Sequence, residues 1–240
     1  MDSYERKVQQ EIADWKKSML KRSGMINRWF KKTQQRINTA IPERAQQIIT
    51  EAIKAMVKTA LFGSEYTTYV KERRTDLHIE ERDKHFDEVL NRYKKIAAAE
   101  GAGTGAGGIM LSLADIPLLI SIKMKFLFEA AVVYGFDIRL KEERLFILYV
   151  FLLAFSGDEQ RQKTLQIVEN WHTERQHIDD IDWQILQQEY RDHIDLVKML
   201  QMVPGFGAVV GAYANYNLLD QLGTTAKNAY RMRLLALPQD

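Results

Sequence analysis

Apolar residues recur along this chain at the spacing of a helix, and almost nowhere with the alternation of a strand. Val8, Ile12, Trp15 and Met19 fall three or four apart with Leu20 beside them, and after Gly24 a second stripe runs through Ile26, Trp29, Phe30, Thr33 and Ile37. Pro42 suits the first turn of a third helix carrying Ile48, Ile49, Ile53, Met56, Val57 and Leu61, which Gly63 is expected to end. From about Ile79 to Glu100 the set Phe86, Val89, Leu90, Tyr93 and Ile96 repeats the pattern and leads into three alanines. Beyond Pro117 the run LLISIKMKFLFEAAVV stops at Tyr134 and Gly135. Asp137 precedes KEERLFILYVFLLAF, which Ser156 and Gly157 close. Residues 158–171 and 182–200 read as charged, surface-bearing helices. The remainder reads as a glycine-rich apolar helix, VPGFGAVVGAYANYNLLDQLG, followed by a separate helix with a basic end, TTAKNAYRMRLLAL. The pattern predicts an all-α, single-domain bundle over residues 1–240, with helices in residues 1–40 lying across its outside.

Five of the chain's thirteen glycines fall in GAGTGAGG, residues 101–108. Gly103, Gly105 and Gly108 satisfy the letters GxGxxG, but a dinucleotide site needs a preceding strand, and KKIAAAE is helical in character. No P-loop lysine follows Gly108. A packing role fits better. Gly101 and Gly105, Gly103 and Gly107, and Gly207 and Gly211 are each four apart, so their bare surfaces align on one helix face and admit a second backbone. Glycine costs roughly 1 kcal/mol against alanine inside a helix, a cost retained where a larger residue would clash. The spacing therefore predicts two glycine-faced helices in close contact at the bundle centre. The stretches Gly101 to Ile122 and Met199 to Leu219 are long enough to span a bilayer, but their glycines, prolines and asparagines favour buried helices of a water-soluble protein.

Composition fits that expectation. The chain is 46% apolar and 28% charged, and its mean hydropathy is −0.33, values of an ordinary globular protein. It has no cysteine, which removes disulfides, thiolate metal sites and cysteine nucleophiles together. The polar start MDSYERKVQQE lacks a signal peptide's apolar stretch, so a cytoplasmic protein is expected. Net charge is only +2, yet Met1 to Arg44 holds eleven basic residues against five acidic ones, while Asp158 to Lys198 holds ten acidic against five basic. This asymmetry predicts a basic N-terminal face rather than a uniformly cationic nucleic-acid binder.

Within that N-terminal face, Trp15, Trp29 and Phe30 accompany Lys16, Lys17, Lys21, Arg22, Arg28, Lys31 and Lys32. Aromatic and basic residues in this mixture suit an anionic membrane surface. The same stripes would equally serve to cover a core. Asp115, inside LSLADIPLL, has two open roles: a cap for the helix that Pro117 begins, or a ligand or proton site in an apolar cavity. The five histidines show no metal-ligand spacing and no GxSxG motif occurs. No cofactor, metal or catalytic residue is implied.

The run AAAEGAGTGAGGIMLSLADIPLLISIKMKFLFEAAVVYGFD, the following EERLFILYVFLLAFS, and the terminal VPGFGAVVGAYANYNLLDQLGTTAKNAYRMRLL resemble the EcsC family of bacterial proteins. INTAIPERAQQIITEAIKAM and LFGSEYTT resemble it too, so the likeness spans nearly the whole chain. The resemblance implies a helical, cytoplasmic or membrane-associated protein from a family named for a gene beside a bacterial ABC transporter. It marks Glu100, Gly105, Gly108, Asp115, Pro117, Tyr134, Gly135 and Asn215 as motif positions without assigned chemistry. The leading functional expectation is a non-enzymatic accessory protein, peripherally attached to an anionic membrane or lipid and linked to a transporter or other membrane protein. The alternative is a small-molecule or lipid binder, or an enzyme, with an apolar cavity between the central helices. No nucleic-acid partner is expected.

Overall fold

A computed structural model of the chain describes residues 3–21, 43–62, 76–105, 116–191 and 207–236. These residues form nine helices: α1 (Ser3–Leu20), α2 (Glu43–Phe62), α3 (Ile79–Gly105), α4 (Ile116–Val133), α5 (Lys141–Phe155), α6 (Asp158–Glu169), α7 (Trp171–Glu174), α8 (183–191) and α9 (Gly207–Ala236). No strand occurs among them, and the fold is all-α.

The apolar pattern decides depth in the bundle. In α5 every residue from Leu145 to Phe155 is buried, as a helix that is apolar all round must be. Helix α4 is almost as deep and packs between α2 and α3. It ends where Gly135 takes φ of +87°, with Gly135 N–H donating to the Val132 carbonyl at 2.9 Å and Phe136 N–H to the Ala131 carbonyl at 3.0 Å. That pair of bonds is the Schellman closure, and its left-handed position favours glycine. Gly157, ahead of α6, receives a distant cap: its N–H donates to the Glu189 carboxylate at 2.7 Å, which ties α8 to the start of α6.

Helices α3 and α9 form the most extensive interhelical contact. They run antiparallel, because Asp83 faces Arg231, Asp87 faces Lys227 and Lys94 faces Asp220. Each step of four or seven residues up α3 is matched by an equal step down α9. At Gly223 the two helices come so close that a Cβ there would lie 2.4 Å from Cδ1 of Leu90.

One sequence expectation changes. The segment Gly207–Ala236 is one continuous helix, α9, rather than parts of two. Gly223, which reads as a stop, sits inside it because its missing side chain makes room for Leu90. Gly101, Gly103 and Gly105 belong to the last turns of α3, and Gly107 and Gly108 lie outside the described residues. The stripe at Ile26 to Ile37 also lies outside them.

Helix α1 rests on the bundle's exterior against α9 and α6. Val8, Ile12 and Trp15 are buried beneath it, each contributing on the order of 2 kcal/mol.

Candidate functional site

The polar chemistry of the described residues concentrates at one end of the α3–α9 seam. Asp83, on α3, shares the stripe of Phe86 and Leu90 and is buried with them. Arg231, on α9, donates to it from Nε at 3.0 and 3.1 Å and from Nη2 at 2.6 Å. The Tyr134 hydroxyl, from the end of α4, donates to Asp83 Oδ1 at 2.6 Å, and the Tyr4 hydroxyl, from α1, donates to Oδ2 at 2.8 Å. Arg231 Nη1 reaches Glu11 on α1 at 2.7 Å. Four elements therefore converge on one buried carboxylate, which is fully satisfied as a buried charge must be.

The electrostatics keep each donor in its donating form. Burial, reinforced by the Asp83 charge, pushes the Tyr134 phenol well above its usual range. Burial and the Asp83 hydrogen bond push Tyr4 up to about 12. Burial opposes the Arg231 charge, but hydrogen bonding and attraction to Asp83 outweigh it and raise its pKa.

A second ion pair, half-buried Arg233 with buried Glu143, lies beside this network. Arg233 donates from Nη1 and Nη2 to the two oxygens of Glu143 at 2.6 Å each, and its guanidinium stands 4.0 Å from the Phe136 ring centroid and 4.3 Å from that of Phe146. A planar guanidinium suits both contacts at once.

Lys123 is the outlier. Its amine, on α4, is buried beside the Phe155 and Tyr190 rings and donates to the Tyr190 hydroxyl at 2.9 Å. Burial alone lowers its pKa from 10.5 to about 7.

Along the outer side of the seam, beneath α1, runs a groove of about 560 Å³. Trp15, Leu90 and Gly223 line its apolar part, and the ion pairs Lys94–Asp220 and Lys227–Asp87 flank it.

The motif positions divide between two places. Tyr134 and Gly135 join the Asp83 end: Tyr134 through its hydroxyl, and Gly135 because a Cβ there would lie 2.5 Å from Nη1 of Arg82, whose guanidinium donates to the Tyr134 carbonyl. Glu100, Gly105 and Asn215 lie toward the other end. The helical register brings Asn215, buried on α9, to the level of Ala99 and Glu100, about 24 Å along the helix from Arg231. Pro117 is exposed in the first turn of α4. Gly108 and Asp115 lie outside the described residues.

The N-terminal surface residues also divide. Trp15 is not presented at the surface: it lies at the helix position facing the bundle and joins the core. Lys16 pairs with Glu169 on α6, whereas Lys17 and Lys21 are exposed. Arg22, Arg28, Trp29, Phe30, Lys31 and Lys32 lie outside the described residues.

Sequence reasoning missed Asp83, Arg231, Arg233, Glu143 and Lys123. The signal was available for two of them. Asp83 interrupts an apolar stripe three residues before Phe86, and Lys123 lies four residues before Leu127 on the buried side of α4.

The chain matches the EcsC protein family over residues 6–235. It belongs to that family. Over 228 residues, 95% of each chain, it is 46% identical to the Bacillus subtilis (strain 168) protein named "Protein EcsC". It is 32% identical over 141 residues to "Uncharacterized protein YdbA" of the same organism, covering 57% of this chain and 52% of that one. No solved structure matches it.

Proposed function

We propose that this EcsC family member is a non-enzymatic, cytoplasmic accessory protein that attaches peripherally to an anionic membrane surface, in the setting of the transporter system that the family resemblance implies. The observation that carries this reading is the outward face of α1. With Val8, Ile12 and Trp15 turned into the bundle, Arg6, Lys7 and Lys17 are left exposed on a helix clamped to the exterior, with Lys21 exposed just past its end and Lys7 3.8 Å from Glu11. Each base near an anionic leaflet contributes about 1 kcal/mol, so four give a salt-sensitive attachment. No helix among the described residues is long and apolar enough to cross a membrane, which favours surface contact over spanning.

Because Trp15 is buried, the contact that α1 itself makes is electrostatic rather than insertional. Flotation with phosphatidylglycerol vesicles tests it. The protein is expected to float at low salt, to sink at high salt, and to ignore vesicles of phosphatidylcholine alone. Replacing Arg6, Lys7, Lys17 and Lys21 by glutamine is expected to abolish flotation while leaving thermal unfolding unchanged. A protein that never floats, or floats equally well without those charges, contradicts the reading.

A further inference from the structure

Three helix ends lie together beyond the last ion pair of the seam. Lys94 on α3 faces Asp220 on α9, so the C-terminal turns of α3 and the N-terminal turns of α9 continue past that pair at the same end of the bundle. Helix α4 begins there too. Tyr134, at its far end, bonds Asp83, and Glu129 pairs with Arg92 at 2.6 Å, so α4 runs antiparallel to α3. The three helices pack on one another. Residues 96–105, 116–122 and 207–219 make up these ends and contain one charged residue, Glu100. It is half-buried and engaged within the chain.

Apolar side chains face outward at this tip. Ile96 on α3 is 42% exposed, Leu118 on α4 45%, and Tyr213 and Tyr216 on α9 68% and 39%. Exposed side chains on three mutually packed helices point away from one another, so the tip is apolar around its circumference. One protein face would cover only part of it, whereas a fluid phase encloses it. The opposite end differs: Leu140 is 48% exposed there, but Asp137, Arg139, Lys141 and Glu142 accompany it.

Where charge resumes, three bases stand at the rim. Lys95 on α3, Lys125 on α4 and Lys21 past the end of α1 are exposed, with no acidic partner among the described residues. The end of α1 reaches this level because Arg161 donates to the carbonyls of both Met19 and Ser156, and Gln221, next to Asp220, donates to the Ala154 carbonyl. Asp220 and Asp158 are neutralised there by Lys94 and Arg161. An apolar tip behind a basic rim complements an anionic bilayer, hydrocarbon to hydrocarbon and ammonium to phosphate.

We propose that this tip enters the acyl region of one leaflet of an anionic bilayer, with Lys21, Lys95 and Lys125 stopping at the phosphates. Penetration there rests on the peripheral attachment proposed above and adds the part of the chain that enters the lipid. From Ile96 to Gly105, α3 extends about 14 Å at 1.5 Å per residue. That is about half of a hydrocarbon core roughly 30 Å thick, so the tip reaches into one leaflet without crossing the other. Its helical backbone is bonded internally, as hydrocarbon requires, and exposed tyrosines suit the boundary with the headgroups.

The chain has no cysteine, so a nitrobenzoxadiazole label can be placed singly at Leu118→Cys, at Tyr213→Cys or, as a control at the opposite end, at Leu140→Cys. With phosphatidylglycerol vesicles at low salt, the labels at positions 118 and 213 are expected to shift to the blue and to be quenched by doxyl groups on the acyl chains. The label at position 140 is expected to do neither. Replacing Leu118 and Tyr213 together by serine is expected to weaken vesicle binding at least about tenfold, with circular dichroism unchanged. Flotation without quenching at positions 118 and 213 overturns penetration and leaves electrostatic attachment standing. Quenching that persists on phosphatidylcholine vesicles supports penetration and contradicts attachment through charge. A blue shift that needs no vesicles and grows with protein concentration assigns the tip to a second copy of this chain and overturns penetration. A protein that never floats overturns both.

Discussion

The guanidinium of Arg231 crosses from α9 to α3 and donates to both carboxylate oxygens of Asp83, its closest nitrogen lying at 2.6 Å. Both side chains are buried. Removing one partner leaves the other as an uncompensated charge, so Asp83→Ala is expected to lower unfolding stability by about 3–5 kcal/mol. The double variant Asp83→Leu with Arg231→Met removes both charges and is expected to cost less than Asp83→Ala alone. Urea unfolding of the three proteins checks this. A double variant less stable than the single one would show that the pair itself, rather than the avoidance of a stranded charge, holds the seam.

Leu90 and Gly223 test the closeness of the same two helices. Alanine at position 223 gains about 1 kcal/mol of helix propensity, but its Cβ would meet Leu90 Cδ1 at 2.4 Å and Cδ2 at 2.6 Å. Overpacking of this kind costs about 1–3 kcal/mol, so Gly223→Ala is expected to be net destabilising and Gly223→Leu more so. Adding Leu90→Ala to Gly223→Ala should recover part of the loss, and a double-mutant cycle reads the coupling. Additive effects would mean that the helices yield at this point.

Lys123 makes stability depend on pH with a defined sign. Its pKa falls from 10.5 unfolded to about 7 folded because burial disfavours the ammonium. Between those values the folded chain binds fewer protons than the unfolded one, so this residue's contribution improves as pH rises and is flat below about pH 7. Lys123→Met keeps the volume and removes the charge. It is expected to raise stability at pH 7 by at least about 1 kcal/mol, with the advantage shrinking toward pH 10. An advantage independent of pH across that window would contradict the assignment.

Periodicity made the helical class legible and located most of the described helices, because a core-facing stripe constrains many residues at once. Single glycines were harder to read. Gly135 does terminate a helix, through its positive φ, whereas Gly223 continues one, because what decides its role is Leu90 on a helix more than a hundred residues away. The buried network was hidden for the same reason. Asp83 and Arg231 are 148 positions apart, and each alone reads as an ordinary charged residue on a helix surface. The basic character of the N-terminal helix was legible from composition, but the inward rotation of Trp15 follows from α1 packing on the bundle.

The buried network, the groove and the close glycine contact all depend on the antiparallel register of α3 and α9. Nine residues beyond the Lys94–Asp220 pair, that register sets Gly103 opposite Gly211. The chain contains no cysteine, so oxidative cross-linking can be read without background. The pair Leu90→Cys with Gly223→Cys, in direct contact, calibrates the yield. Gly103→Cys with Gly211→Cys is expected to form an intramolecular disulfide under the same mild oxidation. A calibrating pair that closes while the glycine pair stays reduced would show that the two helices part before their glycine faces meet.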